Sequence, residues 1–331
     1  MRNNIFGNQG VADCPECPDC PVLPAPSHPF LLQDVFDDLT LAIDLGSAVA
    51  LDDGVHAFGP TIALGSTTVT NATRHHRYKT APAVAEYGQW DSRALLPTAR
   101  RQHRAARING TQCYIHGGTA SGSNGTALYR YDSTANTITT LASSSIARIS
   151  HSLVVLGSGK LLAVGGHTAI ASADIYDPAT NSWAATDAYP IPIAYAPAVA
   201  LPDGRALVIG GLTTADAAAT VSYYYDETAA PGSKWSAAPH IGNYRGGAGI
   251  VGNLVYARNN WDIHVLDLAN TAAGFVLLGK VPSRVYQAEL TCCVPNPPRL
   301  ITIGGWANVS GGLYANRASA VHLTPMTEYT L

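Results

Sequence analysis

Short apolar runs closed by glycine pairs set the pattern of this chain. They end as YIHGG at Gly117-Gly118, LLAVGG at Gly165-Gly166, LVIGG at Gly210-Gly211 and LITIGG at Gly304-Gly305. Successive doublets are spaced by 48, 45 and 94, and 94 is twice 47. The absent copy is expected near residue 257, where NLVYARNN keeps the apolar run and loses the glycines. Each pair is followed by a polar loop and a segment ending in Tyr131-Asp132, Tyr176-Asp177, Tyr225-Asp226 or, more weakly, Leu266-Asp267. Ile138, Trp183, Trp235 and Phe275 come next. Short β-branched and aromatic runs bounded by turn residues predict strands. Each unit of about 47 residues therefore predicts four strands and no helix.

Histidines extend the count. His103 stands as far before Gly117 as His151 does before Gly165, and stepping back one repeat from His103 reaches His56. A first, degenerate unit is thus expected from about residue 51 through Trp90, giving six units and about 49 residues before them.

Composition narrows the classes. Apolar residues make up 47% and charged ones only 13%, so a large core is expected and wholesale disorder is not. The formal net charge of −3, without a polybasic run, argues against nucleic-acid binding. No apolar run approaches the length of a membrane span, so none is expected. The N-terminal MRNNIFGNQGVADCPECPDC lacks an apolar signal core, so no secretory leader is expected either.

On its glycine doublets, Tyr-Asp pairs and spaced tryptophans, the sequence over about 51–331 resembles the kelch-repeat family. The resemblance implies an all-β fold, a six-bladed kelch-type β-propeller, here with an extended Pro/Cys-rich N-terminal tail. The division expected is 1–29 as an attachment segment and 30–331 as the propeller. Because the last unit runs out of chain before an outer strand, the segment 38–50 is expected to supply it and close the ring, which otherwise leaves an open sheet edge.

The tail carries three tandem Cys-Pro-x triplets with Cys14, Cys17 and Cys20. Proline at every third position favours polyproline II, which lines the thiols along one edge with Cα atoms roughly 9 Å apart. That exceeds the ~7 Å limit for a disulfide, so bonding is expected only to another chain or segment. Three fates stay open: free thiols, interchain contact, or zinc with His28 as a fourth ligand. Cys113, Cys292 and Cys293 read as small buried apolar residues in blade strands.

In a four-stranded blade, the loop entering the inner strand and the loop after the second strand share one face. Entering loops bring Arg100, Arg148, Tyr195, Tyr244, Arg245, Arg284 and Tyr286 there. Post-glycine loops bring His167, Arg258, Asn259, Asn260, Trp261, Trp306, Asn308, Tyr314 and Arg317. From these, Trp306, Trp261, Asn308, Tyr314, Arg258, Arg317, Arg100, Arg148, Arg245 and Arg284 are the candidate ligand-binding residues. Arg100 and Arg148 repeat in register with the histidines, which also fits an architectural role. Arg74-His75-His76-Arg77 reads as a solvated basic loop. Turns at Asn109-Gly110, Asp203-Gly204 and Gly252-Asn253 on the opposite face read as structural.

No catalytic motif, phosphate loop, metal site or cofactor is assigned. With four lysines against sixteen arginines and Gly/Ser/Thr/Asn-rich loops, the chain resembles a bacteriophage tail-fibre or virion-decorating protein in layout. That layout implies a non-enzymatic receptor-binding head for a host surface glycan or protein. Residues 1–29 would dock other virion proteins or a second copy. Two alternatives are a sialic-acid-mutarotase-like kelch enzyme, using arginines near the channel, and a cytoplasmic protein-binding kelch module.

Overall fold

The computed structural model describes residues 33–36, 41–43, 46–59, 61–63, 72–79, 90–120, 123–214, 217–241, 246–259, 262–280, 290–295, 298–303 and 318–322. The chain separates into two compact units, Met1–Phe30 and Leu31–Leu331. The first lies outside the described residues, and with it the tail cysteines and His28.

The described strands form six four-stranded antiparallel sheets and two short antiparallel pairs, Leu41–Ile43 with Thr61–Ala63 and Thr119–Ala120 with Ser123–Asn124. The first comprises Ser47–Leu51, Gly54–Phe58, His75–Tyr78 and Trp90–Ser92, and the second Arg104–Arg107, Gln112–His116, Leu128–Asp132 and Thr137–Leu141. The third runs Ser152–Val155, Leu161–Val164, Ala173–Asp177 and Ser182–Ala185, and the fourth Ala198–Ala200, Ala206–Val208, Ser222–Tyr225 and Trp235–Ala238. The fifth holds Ala248–Val251, Leu254–Asn259, Asp262–Asp267 and Val276–Lys280. Each of these five comes from one stretch of chain. The sixth joins Leu290–Pro295, Pro298–Ile303 and Ala318–His322 to Gln33–Phe36 from the other end of the unit. Inner strands neighbour one another in order, and Leu290–Pro295 returns to Ser47–Leu51. This is an all-β propeller. One 3₁₀ turn, Thr271–Ala273, is the sole helical element among the described residues, and none of their helices could cross a membrane.

Strand alternation explains why the sheets stack. Successive side chains point to opposite faces, and here both faces are apolar. Cys113 and Ile115 pack on Val49, Leu51 and Phe58 of the first sheet, while Tyr114 between them packs with Leu161 and Ala163 of the third. Leu162 and Val164 then turn the other way, onto Ala206 and Val208 of the fourth. Leu207 in turn joins Val255 and Ala257 of the fifth. A sheet covered on both sides needs neighbours on both sides, and a ring supplies them. Cys113, fully buried, is the small apolar residue its position predicts. Cys292 and Cys293 lie in a strand whose side chains are outside the described set.

Backbone ties between sheets run through the glycine doublets. Gly118 N–H donates to the Arg148 carbonyl at 2.8 Å and Gly166 N–H to the Ile193 carbonyl at 2.9 Å, each acceptor belonging to the next sheet's entering segment. Gly165 has φ +66°, and a Cβ there would fall on the Ile193 carbonyl oxygen. Only glycine meets both demands.

Three sequence expectations change. The closing strand is Gln33–Phe36, paired with Ala318–His322, whereas Ser47–Leu51, which overlaps the span 38–50, is the innermost strand of the first sheet. The cause is unequal repeats: inner strands begin at 47, 104, 152, 198, 248 and 290, so the first interval is the longest. For the same reason His56 is not equivalent to His103 and His151; it sits inside the second strand, Gly54–Phe58. The segment 74–77 is no solvated loop. His75–Tyr78 is a strand, His75 is 1% exposed, and Arg77 pairs with Asp53 and Asp91.

Two expected outcomes follow. Gly165→Ala should cost about 2 kcal/mol or more in urea unfolding, against about 1 kcal/mol for Gly252→Ala, where φ is +58° but nothing lies within 4 Å. Equal losses would contradict the tie. Removing residues 1–30 should leave the melting temperature unchanged, while removing 1–37 should lower it by unpairing Ala318–His322.

Candidate functional site

The entering segments and glycine doublets meet at one end of the sheets. Thr119 N–H donates to the Arg101 carbonyl at 2.8 Å, His167 N–H to Ile149 at 2.7 Å and Leu212 N–H to Ala194 at 2.7 Å. The expected shared face is therefore real. At the opposite end the tight turns also tie sheets together: Asp52 N–H donates to Gly110 at 2.7 Å and Gly157 N–H to Gly204 at 3.2 Å.

The repeated polar residues are consumed by the scaffold. Arg100 donates to the Gly117 carbonyl at 2.6 Å and the Tyr129 hydroxyl at 2.9 Å, and also to the Thr98 hydroxyl. Its guanidinium lies 4.6 Å from the Tyr129 ring centroid. Arg148 repeats the pattern one sheet later, donating to the Gly165 carbonyl at 2.5 Å and to Asp174 at 2.7 Å. These cations satisfy carbonyls that the doublet's turn leaves without a strand partner. Arg100, Arg148 and Arg258 are 3%, 1% and 1% exposed. The sequence marks all three as ligand candidates; burial places them inside the blades instead. Trp306, Trp261, Asn308, Tyr314, Arg317, Arg245 and Arg284 lie outside the described residues, as do Tyr244, Tyr286 and Asn260.

The aromatic markers are also structural. Tyr131 and Tyr176 hydroxyls donate to Asn136 and Asn181 at 3.2 and 2.9 Å. Those amide oxygens also accept the Ala94 and Ala142 N–H groups of the preceding sheet, each at 2.9 Å. Trp183 and Trp235 indoles donate to Ala142 and Asp187 carbonyls, both at 2.9 Å. The Asp of each Tyr-Asp pair caps its own turn, as Asp177 does for Ala179 N–H at 2.8 Å.

What varies sits on a fixed frame. Gln102, Ser150 and Tyr195 occupy the same place before an inner strand with φ of +58°, +50° and +59°. Ser150 N–H donates to the Gln102 carbonyl at 2.8 Å and Tyr195 N–H to Ser150 at 2.7 Å, so the three form a backbone chain around the channel mouth. The conformation repeats while the side chain changes. Beside them, Thr168 and Ala169 are also left-handed, at +69° and +48°. A β-branched residue there is strained. Exposed His167 meets the half-buried Tyr195 with ring centroids 6.2 Å apart.

Below the mouth runs a channel of about 540 Å³, lined mainly by small apolar residues of the inner strands such as Ala48, Ala105, Ala198 and Ala248. Where those strands begin, a chamber of about 100 Å³ is bordered by Ser47, Arg104, His151 and Ser152. Sequence reasoning missed this chamber and also His116, although His116 is visible in YIHGG. No group of three metal-ligating side chains occurs among the described residues.

No family model matches the chain. It is 32% identical to Kelch-like protein 33 of Homo sapiens over 153 residues, 44% of this chain and 28% of that protein. It is 36% identical to Kelch-like protein 36 of Mus musculus over 103 residues, 29% of this chain and 16% of that protein. The chain thus spans less than a third of either relative. The solved structure of YjhT aligns with a TM-score of 0.63 at 18% identity, covering 85% of this chain and 93% of that one.

Buried imidazoles give the fold a pH dependence. Loss of hydration, then the charges of Arg148 and Arg100, hold His116 at about 3. Loss of hydration, then Arg100 and Arg104, hold His103 at about 3. His75 and His151 are also pushed well below 6.5, first by burial and then by the neighbouring His56 and His116 respectively. The unfolded chain takes up these protons near pH 6.5 and the folded chain does not. Stability is therefore full above about 6.5 and falls as pH drops toward 3, by about 1.4 kcal/mol per unit per histidine. Guanidinium unfolding should show a loss of at least about 3 kcal/mol between pH 7.5 and 5; a flat profile would contradict neutral buried imidazoles.

Proposed function

We propose that this kelch-repeat β-propeller is a binding module whose recognition surface is the face carrying the entering turns and post-glycine loops. We read its six sheets as a six-bladed ring closed by Gln33–Phe36. The observation that carries the reading is the shared left-handed turn at Gln102, Ser150 and Tyr195, which holds one backbone geometry while its residue changes, Gln102 and Tyr195 being half-buried and Ser150 buried. A fixed frame with variable chemistry suits recognition. His167 and Tyr195 belong to this surface, and from the sequence Trp261, Trp306, Asn308, Tyr314 and Arg317 join it. Aromatics of this kind supply rigid contact area at low entropic cost.

The ligand in this reading is a surface glycan, with a protein as the other outcome. A mutarotase-like reading draws less support, because Arg100, Arg148 and Arg258 are buried and Arg148 already pairs with Asp174. Placement on a virion or other particle, by docking of residues 1–29 to another protein or a second copy, rests on the Cys-Pro triplets and the composition.

Tyr195→Ala and Trp306→Ala should each weaken retention on arrayed cell-surface glycans about thirtyfold, the equivalent of ~2 kcal/mol, with the melting temperature unchanged. Unchanged retention would move the site elsewhere. For the tail, native assemblies run without reductant should show Cys14, Cys17 and Cys20 in interchain bonds. Free alkylation of all three without reductant would remove the covalent version.

A further inference from the structure

The turn at Asn109-Gly110 carries chemistry that the scaffold does not use. Asn109 is exposed, and its side-chain oxygen accepts the Thr111 N–H at 2.9 Å and the Thr111 hydroxyl at 3.3 Å. Its amide NH₂ has only a long contact to Gln112 Oε1, at 3.5 Å. Gly110 offers its carbonyl to the Asp52 N–H at 2.7 Å, while its own N–H has no acceptor among the described residues. Asn109 Cγ and Gly110 N need no tertiary contact to meet. They are joined through Cβ, Cα and the carbonyl carbon of Asn109, and their union closes a succinimide ring. The Asn109 main-chain carbonyl also receives Arg107 Nε–H at 3.0 Å, and the same guanidinium donates to Asp52 at 2.8 Å.

Asn124-Gly125 is a second Asn-Gly pair, and it is built differently. Its Gly125 N–H donates to the Gly118 carbonyl at 2.6 Å, and its Gly125 carbonyl accepts the Arg148 N–H at 3.1 Å. That nitrogen must break a backbone hydrogen bond before it can attack.

We propose that Asn109 is a self-modification site, which loses ammonia to form a succinimide with Gly110 and then takes up water to become isoaspartate. Gly110 N attacks Asn109 Cγ. The new bond replaces the one to Nδ2, which departs with the Gly110 proton as ammonia. Both Thr111 donors stand on the oxygen that gains negative charge during attack. Water then opens the ring at the main-chain carbonyl, the one Arg107 donates to. One water proton returns to Gly110 N, and the other dissociates from the new carboxyl, leaving a carboxylate beside the guanidinium. The chain now runs through Cβ and Cγ, one methylene longer. The Gly110 carbonyl is thereby displaced from the Asp52 N–H, a tie between the first and second sheets.

The test is peptide mapping by mass spectrometry of the full chain aged in mild alkali, both folded and in urea. In urea the two Asn-Gly pairs should deamidate at similar rates. In the folded chain Asn109 should lead Asn124 by about fivefold, the weight of one backbone hydrogen bond, with isoaspartate as the main product. Equal progress at the two sites in the folded chain, or a faster Asn124, would overturn the assignment. Aspartate as the main product would overturn the second step. The isoaspartate-bearing fraction should melt below the fresh chain. Asn109→Asp, which adds the charge without lengthening the backbone, should melt with the fresh chain. An aged fraction that keeps the fresh melting temperature would overturn the loosened tie.

Discussion

One backbone contact organises the molecule: the doublet glycine N–H donating to the carbonyl of the next sheet's entering segment, as Gly166 does to Ile193 at 2.9 Å. It brings two backbones close enough that no side chain fits between them, and it holds the intervening turn in a left-handed conformation. The other repeated features answer demands this contact creates. A tight turn strands the first glycine's carbonyl, so Arg100 and Arg148 reach in to satisfy it. Burying those cations calls for compensation, supplied by Asp174 for one and by the Tyr129 ring and hydroxyl for the other. At the opposite margin Asn181, accepting from the Ala142 N–H, and the Trp183 indole, donating to the Ala142 carbonyl, fasten the outer strand to the preceding sheet.

The scaffold and the proposed recognition face consequently use different positions of the same repeat. Arg100 and Arg148, which recur, are buried and hydrogen-bonded within the blades. Residues that change, Gln102, Ser150 and Tyr195, ride on a backbone whose shape does not. The channel beneath is lined mainly by alanine and other small apolar residues.

Much of this was legible from the sequence, because it repeats. The doublets, the Tyr-Asp pairs and Trp183 and Trp235 reveal the strands, and the register of Arg100 with Arg148 already hints at architecture. The first sheet misled because it is long. Its inner strand begins at 47 and the next one at 104, so a uniform step lands on the wrong strand and turns Ser47–Leu51 into a supposed closing segment. Gln33–Phe36 lacks any repeat signature, since an edge strand donated from the far end of the chain need only offer backbone. The buried His116–His151 pair was hidden for another reason. His116 and His151 are far apart in the chain and meet only once two sheets stack.

The division between scaffold and recognition face is tested most directly by amide hydrogen exchange of the full chain, free and bound to a glycan selected on an array. Binding should slow exchange at residues 101–104, 149–152, 167–169 and 194–197, and leave the turns at Asn109-Gly110, Asp203-Gly204 and Gly252-Asn253 unchanged. Protection confined to those three turns, with none at the entering segments, would contradict the account.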